Sequence, residues 1–439
     1  TIIGEICMRP FVPYSFVVTQ SKESGKEADL AANTHGHRYE VFIKTALARR
    51  RTLTNYDVLT AFVATLAIEA FEQERDSFGK DFLRQAHARF EKETDLSFDV
   101  DSLTKELLEV RLLTLRHGEY AFRERYIFYY FVAFYLKDRL SEDKAQRIVR
   151  ECASKAWVQD YANVLLFLAH LSKDRFVVDT IMEAARGTFP TVEPARLEGE
   201  LSVLLEPEIH PLELRDEKDN DKRVRLEEQK QVADETQLAH LAYPLRRDAT
   251  IDEIGLVGQL SAALKTLQIL GQLLKNFPAN FDPSQKVAMV NECIDLGLRS
   301  LGHYFKYAED GKAQLLTGFA ALIRARLPGM GETEARSKAG VAIGNLCHLA
   351  SFGIIKRVSY AIGSTELAKT YQKVFTESQT PARTLIQLSM QLDRLGDFPE
   401  QAIIEFSKKR NHNFFAIRVL RNLIVRHFRV FHRNFKLRQ

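Results

Sequence analysis

Residues 110–140 read VRLLTLRHGEYAFRERYIFYYFVAFYLKDRL, and within this stretch the pattern changes from strand-like to helix-like. Two short apolar runs flank His117-Gly118. A two-residue connection that ends in glycine is typical of a tight hairpin turn, so we expect two antiparallel strands here. A long aromatic helix, residues 125–140, is predicted to follow the second strand directly.

Three helices are predicted before this hairpin. Thr54 or Asn55 can cap the first helix, and Asp101 or Ser102 can cap the third, because short polar side chains accept hydrogen bonds from the free amides of a first turn. Apolar residues recur every three or four positions between these caps. Three helices followed by a hairpin are the element order of a winged helix, which we predict for residues 53–140.

The remaining chain is predicted to be helical apart from one charged run. Between Glu213 and Glu235, fifteen of twenty-three residues are charged, with both signs mixed and few apolar residues. Such a run is typical of a solvated helix or a linker. No fixed repeat period is present, so the sequence does not support a strict solenoid. The sequence therefore predicts a mainly α fold, in which a winged-helix domain is followed by an irregular multi-helix array.

Charge is distributed unevenly along the chain. The 439 residues are 45% hydrophobic and 27% charged, a globular composition, and carry a net charge of +4. Ten basic and no acidic residues lie between Phe406 and Gln439, which leaves a net −6 for the rest of the chain. This terminal stretch predicts an amphipathic helix with a basic face that can meet nucleic acid, an anionic membrane, an acidic partner or the chain's own acidic body. The candidate partner-binding residues are Arg418, Arg421, Arg429, Arg433 and Lys436.

The motifs of several enzyme and metal sites are absent. Neither GxxxxGK[ST] nor GxGxxG occurs, so this segment alone cannot cradle a triphosphate and its Mg²⁺. We expect no catalytic residues, because no nucleophile motif occurs. His35-Gly36-His37 with Glu40 lacks a further ligand motif, so we expect no metal site. The aromatic residues between 120 and 135 are predicted to pack in a core rather than to stack on bases.

The sequence also indicates the cellular compartment of the protein. Four cysteines lie far apart without a CxxC pair, which favours a reducing cytosol over a disulfide framework. No signal peptide is evident, and no uncharged apolar run reaches the roughly 18 residues that a membrane span needs. We therefore expect a cytoplasmic protein without a membrane partner. The chain opens on Thr1 without an initiator methionine, which predicts a piece of a longer protein.

Residues 120–136 resemble the hairpin-to-helix segment of the winged-helix domain in STAND NTPases of the NACHT type. In that family a helix with an aromatic–small–small–aromatic face ends in a leucine, and residues 131–136, FVAFYL, match this face. Arg9-Pro-Phe-Val-Pro13 is similar to the start of the helical lid, and residues 161–174 are similar to the helical continuation in bacterial members. The resemblance covers residues 1–189.

The resemblance implies an order of segments. These are a helical-lid remnant (1–52), the winged-helix domain (53–140), a helical arm (141–206), a charged linker (207–250) and a C-terminal helical sensor or interaction domain (251–439).

Three candidate nucleotide-site residues follow from the resemblance alone. Pro10 and Pro13 correspond to adenine-side contacts. The phosphate-contacting histidine of the family aligns with Glu124, and a carboxylate repels phosphate, which argues against direct ADP sensing at that position. The family implies ATP or ADP with Mg²⁺ as cofactor of the parent protein, with none bound by this segment alone.

The resemblance implies a function as the regulatory and sensor portion of an ATP-dependent switch in prokaryotic defence against phage. Such a segment would relay recognition of a trigger to an upstream NTPase domain and an effector. Self-association on activation is expected, and the trigger would be a foreign protein or nucleic acid. Whether the chain itself is an enzyme stays open, since no catalytic site is predicted in it.

Two alternatives from other classes stay open. One is a nucleic-acid-binding winged-helix module that uses the basic terminal helix. Its third helix offers Lys105 against Glu106 and Glu109, which argues against DNA readout. The other alternative is a helical scaffold for protein–protein interactions.

Overall fold

The computed structural model describes Ile43 and residues 55–199, 253–377, 379–393 and 398–431. Within these ranges it contains fifteen α-helices and one two-stranded sheet, which confirms the mainly α fold. The predicted charged linker and, apart from Ile43, the predicted lid remnant lie outside the described residues, so the predicted segment boundaries stay predictions.

The described residues form two compact units. The first holds residues up to Arg139 together with Leu166–Leu171, and the second holds Leu140–Leu165 and the residues from Ser172 onwards. The first unit contains α1 (Tyr56–Glu72), α2 (Lys80–Thr94), α3 (Val100–Glu109), β1 (Leu113–Arg116), β2 (Glu119–Phe122) and α4 (Arg125–Lys137). Three helices followed by a hairpin and a fourth helix are the order predicted from the sequence.

The hairpin turns at the predicted position. His117 and Gly118 both have positive φ, 52° and 85°, as a type I′ turn requires. The register pairs Leu113 with Phe122, Thr114 with Ala121, Leu115 with Tyr120 and Arg116 with Glu119. Two backbone hydrogen bonds of 2.8 and 2.9 Å between Phe78 and Tyr120 add a short third segment beside β2. These bonds tie the hairpin to the connection between α1 and α2.

Helix α4 is the core of the first unit, with α1 packed along it. Nine of its thirteen residues are buried: Ile127, Phe128, Tyr129, Tyr130, Phe131, Val132, Ala133, Tyr135 and Leu136. A helix that is apolar on every side needs neighbours on every side, so the aromatic run serves packing. This confirms the prediction that these residues lie in a core.

Side-chain caps set two helix starts. The Asn55 side chain accepts a 2.8 Å hydrogen bond from the Asp57 amide, which confirms one of the two predicted caps of α1. In α3 the cap is Asp99, whose carboxylate accepts from the amides of Asp101 and Ser102 at 3.2 Å each. The prediction that Asp101 or Ser102 caps this helix was wrong, because these residues supply the amides that Asp99 satisfies.

The second unit is an array of helices. It contains α5 (Asp143–Ser154), α6 (Gln159–Leu171, up to Leu165), α7 (Arg175–Gly187), α8 (Gly255–Asn276), α9 (Pro283–Asp310), α10 (Lys312–Arg326), α11 (Glu332–Ile362), α12 (Ala368–Glu377), α13 (Pro381–Leu392), α14 (Glu400–Lys409) and α15 (Phe414–Phe431).

Helix α11 is the central helix of this unit and packs against α8, α9, α10, α13 and α15. It has 31 residues and is the one described helix long and apolar enough to cross a membrane, a test that core helices also pass. In the window that meets this test, 39% is buried. The sequence alone predicts a helix over Glu332–Leu349. It continues because Ser351, Ile355 and Val358 extend its buried face, and Gly353 does not interrupt it.

A strap without regular secondary structure, residues 188–199, ties several helices together. The Ala195 amide donates to the Leu298 carbonyl in α9 at 3.1 Å, and the Arg196 carbonyl accepts from the Ala382 amide in α13 at 3.0 Å. The strap passes Gly302 so closely that a Cβ there would lie 2.7 Å from a strap carbonyl. These two hydrogen bonds hold residues 188–199, which follow α7, against α9 and α13.

Candidate functional site

Glu124 lies at the residue that precedes the first turn of α4. Its side chain is half-buried and makes no capping hydrogen bond. The neighbouring Arg125 is paired with Asp76 at 2.6 Å. A helix N-terminus favours anions, and here the Glu124 carboxylate already supplies negative charge. The structure thus places Glu124 at the start of the core helix, and its role toward a nucleotide stays a prediction.

A cluster of charged side chains lies near the other end of α4, and we call it the Arg89 cluster: Arg89, Glu69, Glu72, Glu93 and Tyr135. The Arg89 guanidinium pairs with Glu69 at 2.5 Å, with Glu72 at 3.0 Å and with Glu93 at 2.9 Å. It also donates to the Tyr135 hydroxyl at 2.9 Å. One guanidinium therefore joins α1, α2 and α4.

The electrostatics of the cluster favour its charged form. Burial by itself would lower the pKa of Arg89, but hydrogen bonds to Glu93 and Glu69 outweigh it and raise that pKa above its ordinary value. Burial raises the pKa of the Tyr135 hydroxyl, against the attraction of Arg89 and Arg139. Arg139 lies over the Tyr135 ring, 3.9 Å from its centroid. Both side chains therefore keep their protons at neutral pH.

The Arg89 cluster contains no nucleophile. Its role is structural, because it holds helices together. Its three carboxylates are held by a planar donor fork, a geometry that fixes direction as well as distance. Separating α4 from α2 would break the hydrogen bonds that join the Tyr135 hydroxyl to Arg89 and Glu93, whereas separating α1 from α2 would leave Glu69 and Glu72 without their cation, which is costly in free energy. The arrangement therefore holds α4 in one position relative to α1 and α2.

The predicted basic face lies partly in α15. Arg418 is exposed and donates to the Asn345 side chain of α11 at 2.8 Å, while Arg421 is half-buried. The buried face consists of Ala416, Val419, Leu420 and Leu423. It packs against α13 and α11. The sequence predicts a docked face of Ile417, Leu420, Ile424, Phe428, Phe431 and Phe435. Of these residues Leu420 is buried, whereas Ile417, Ile424 and Phe428 are half-buried. The Arg429 side chain, Arg433 and Lys436 lie outside the described residues.

The other sequence candidates cannot be placed. Pro10, Pro13 and His35-Gly36-His37 all lie outside the described residues. In the part of the chain that is described, no group of three or more His, Cys, Asp or Glu side chains could hold a metal ion.

Lys265 in α8 was not predicted as a special residue. Its side chain is fully buried, and its ammonium group donates to the Trp157 carbonyl at 3.3 Å. Burial lowers the pKa of Lys265 to about 8, with Asp160 acting in the opposite direction. The Ser261 hydroxyl, one turn earlier on the same helix, is buried without a hydrogen-bond partner among the described residues. Lys265 is therefore a buried cation, and a second polar group on the same helix, the Ser261 hydroxyl, is buried without a described hydrogen-bond partner.

The sequence contains a signal for the Arg89 cluster. Glu69 falls on the apolar face of α1, at the spacing of Phe62 and Leu66. A carboxylate on an apolar face predicts a buried cationic partner. No local pattern could name Arg89 as that partner, since the two residues lie on different helices.

One family model matches part of the chain. Residues 76–132 match the model described as Novel STAND NTPase 4. The matched segment runs from the connection before α2 through most of α4 and includes Arg89 and Glu124. A search of curated proteins found no match, and a search of solved structures also found none. The match lies inside the residues that resemble STAND NTPases and supports a STAND-type signalling protein.

Proposed function

We propose that this chain is the regulatory and sensor portion of an ATP-dependent STAND-type switch. The observation that carries the proposal is the family match over residues 76–132 together with the helix order found there. In this proposal the first unit is a winged helix that relays a signal. The helices from α8 onwards receive a trigger, and the nucleotide site lies in a separate NTPase domain of the parent protein.

Helix α4 is the relay element in this proposal. Glu124, the position aligned with the nucleotide-contacting histidine of the family, directly precedes this helix, and its last turn carries Tyr135 of the Arg89 cluster. Packed cores do not deform continuously but shift between discrete arrangements. A helix packed on all sides is therefore expected to move as a rigid body and to pass a displacement from one end to the other. The cluster would set the resting position from which a trigger displaces α4.

The proposal also includes the biological class of the parent protein. The parent protein is a prokaryotic immune sensor against phage, located in the cytoplasm, with a foreign protein or nucleic acid as trigger and with self-association on activation. ATP or ADP with Mg²⁺ is its cofactor. The proposal includes no membrane partner.

The experiment that tests the proposal is nucleotide binding. Isothermal titration of the 439-residue chain with ATP·Mg²⁺ and with ADP·Mg²⁺ is expected to give no binding tighter than about 1 mM. Micromolar binding would contradict the assignment of the nucleotide site to another domain. A phosphate-binding loop encoded within roughly 300 residues before Thr1 is the corresponding positive result, on the usual size of domains.

A second candidate function is nucleic-acid binding, favoured by the exposure of Arg418 on α15. Phosphate contacts make such binding fall steeply with salt. The helix in the recognition position, α3, opposes this function, because it carries Asp101 and Glu109 against Lys105. Salt-dependent binding that is lost when residues after Lys408 are removed would favour this function over the switch.

A further inference from the structure

Lys265 in α8 is a buried cation whose hydrogen-bonding capacity is only partly used. Its side chain is fully buried, and its ammonium group donates to the Trp157 carbonyl oxygen at 3.3 Å. An ammonium group carries three N–H donors, and among the described residues this carbonyl is the one acceptor that Lys265 contacts. A buried donor without an acceptor costs free energy. The surroundings of Lys265 therefore favour an added acceptor.

Two neutral donors from residues next to Lys265 are also buried without partners. The Ser261 hydroxyl lies four residues before Lys265, on the same side of α8, and Ser261 is fully buried. The Trp157 indole N–H belongs to the residue whose carbonyl Lys265 contacts. Within the part of the chain that the structure describes, neither group has a hydrogen-bond partner. An acceptor with two oxygen atoms could satisfy both donors.

The ammonium group lies beside the N-terminus of α6, a position that favours anions. Trp157 comes two residues before Gln159, the first residue of this helix. The free amides of a helix N-terminus carry partial positive charge, which attracts an anion and repels a cation. Asp160, half-buried in the first turn of α6, acts in the opposite direction and favours the charged ammonium group. The helix and the carboxylate therefore favour opposite charges at Lys265.

Burial also makes the Lys265 amine available as a nucleophile. It lowers the pKa of Lys265 to about 8, so the uncharged amine is present near neutral pH in a much larger fraction than for an exposed lysine. Carbon dioxide is a small electrophile without charge, so it can enter an apolar interior without the cost of desolvating an ion. The reaction of the amine with carbon dioxide converts a cationic side chain into an anionic one with two acceptor oxygens.

We propose that Lys265 is a modification site at which carbon dioxide forms a carbamate on Nζ. The lone pair of the uncharged amine forms a bond to the carbon atom, one pair of C=O electrons moves to oxygen, and the nitrogen releases one proton to solvent. The remaining N–H donates to the Trp157 carbonyl. The two carbamate oxygens accept from the Ser261 hydroxyl and the Trp157 indole N–H. The modification does not depend on the nucleotide-switch function, because all its residues lie in the second unit.

Carbon-13 NMR of the full 439-residue chain in ¹³C-bicarbonate buffer tests the proposal. We expect a carbamate resonance that Lys265→Met removes. The N-terminal amine, with an ordinary pKa of about 8, forms a carbamate of its own that Lys265→Met should retain as an internal reference. Lys306→Met, at an exposed position of α9, is the matched control and should keep both resonances. Circular dichroism confirms that each variant is folded. A wild type without a Lys265-dependent resonance would overturn the proposal.

Substitutions around Lys265 test which groups hold the carbamate. Ser261→Ala and Trp157→Phe each remove one donor to a carbamate oxygen, so each should lower the equilibrium constant for carbamate formation at least about fivefold. Asp160→Asn removes the carboxylate that favours the ammonium form, so it should raise this constant. A Lys265 resonance of unchanged intensity in both Ser261→Ala and Trp157→Phe would overturn the proposed contacts.

Thermal unfolding provides a second readout. A group that forms in the folded state and not in the unfolded state stabilises the fold by mass action. Bicarbonate should therefore raise the melting temperature of the wild type and leave that of Lys265→Met unchanged, at the same pH and ionic strength. An equal rise in both proteins would contradict a carbamate on Lys265.

Discussion

The Arg89 guanidinium donates a 2.9 Å hydrogen bond to the Tyr135 hydroxyl and thereby joins α2 to the last turns of α4. The same guanidinium holds Glu69 and Glu72 of α1 and Glu93 of α2. Three helices are thus fixed by one side chain that is 18% exposed. The position of α4 in the first unit therefore depends on a polar contact as well as on its apolar packing.

The substitution Arg89→Met tests whether the position of α4 depends on this polar contact. Three carboxylates lose their shared partner, and removal of one member of a largely buried pair costs about 3 kcal/mol of unfolding free energy. Urea unfolding followed by circular dichroism measures the loss. Arg175→Met is the control, because the Arg175–Asp179 pair is 79% and 58% exposed and should contribute less than about 0.5 kcal/mol. Equal losses for the two variants would show that the cluster does not hold the helices.

Tyr135→Phe separates the hydrogen bond from the ring. The variant keeps the aromatic packing and loses the hydroxyl that accepts from Arg89, so we expect a loss of about 1–2 kcal/mol. A double-mutant cycle with Arg89→Met should give a coupling energy of at least about 0.5 kcal/mol. Strict additivity of the two variants would mean that the two side chains do not interact in solution.

Lys265→Met should stabilise the protein at neutral pH. The ordinary pKa of lysine is 10.5, and burial lowers that of Lys265 to about 8. Below pH 8 the folded state therefore contains a buried charge, which methionine removes. We expect a gain of about 2–3 kcal/mol at pH 7, measured by urea unfolding.

The pH dependence of this gain has a definite sign. Between about pH 8 and 10.5 the unfolded state binds the proton of Lys265 more tightly than the folded state, so the contribution of Lys265 to stability rises with pH. The advantage of Lys265→Met should shrink across this window and level off above it. An advantage that grows with pH would contradict a buried ammonium group.

Two glycine substitutions should have opposite effects. At Gly271 a Cβ would lie 2.4 Å from the Ala361 carbonyl oxygen, so Gly271→Ala must push α8 away from α11. At Gly318, in the exposed part of α10, a Cβ meets open space, and alanine should stabilise the helix by up to about 1 kcal/mol. Thermal unfolding of both variants distinguishes them. Similar melting temperatures would mean that α8 and α11 are not packed this closely.

Much of the fold was predictable because its signals are local. His117-Gly118 predicts the hairpin turn, since few residue pairs accept positive φ at both positions. Asn55 predicts the start of α1 through its side-chain cap. Asp99 was missed in favour of residues two and three positions later, because all three are residues that cap well. The end of α11 was misplaced because the burial of Ile355 and Val358 depends on neighbouring helices.

The candidate site was less predictable because it depends on contacts across the chain. Arg89 and Tyr135 are 46 residues apart and meet only once α2 and α4 pack. Lys265 lies in an apolar helix where lysine ordinarily points to solvent, and nothing in its neighbours along the chain indicates that it is buried. The periodicity predicts a basic face on α15, whereas the bond between Arg418 and Asn345 depends on α11.

The central claim is that this chain regulates a nucleotide switch whose nucleotide site lies in another domain. The most direct measurement is titration calorimetry with ATP·Mg²⁺, applied to the 439-residue chain and to a protein that joins it to the proposed NTPase domain. We expect no binding by the chain alone and micromolar binding by the extended protein. Micromolar binding by the chain alone, or none by the extended protein, would contradict the account.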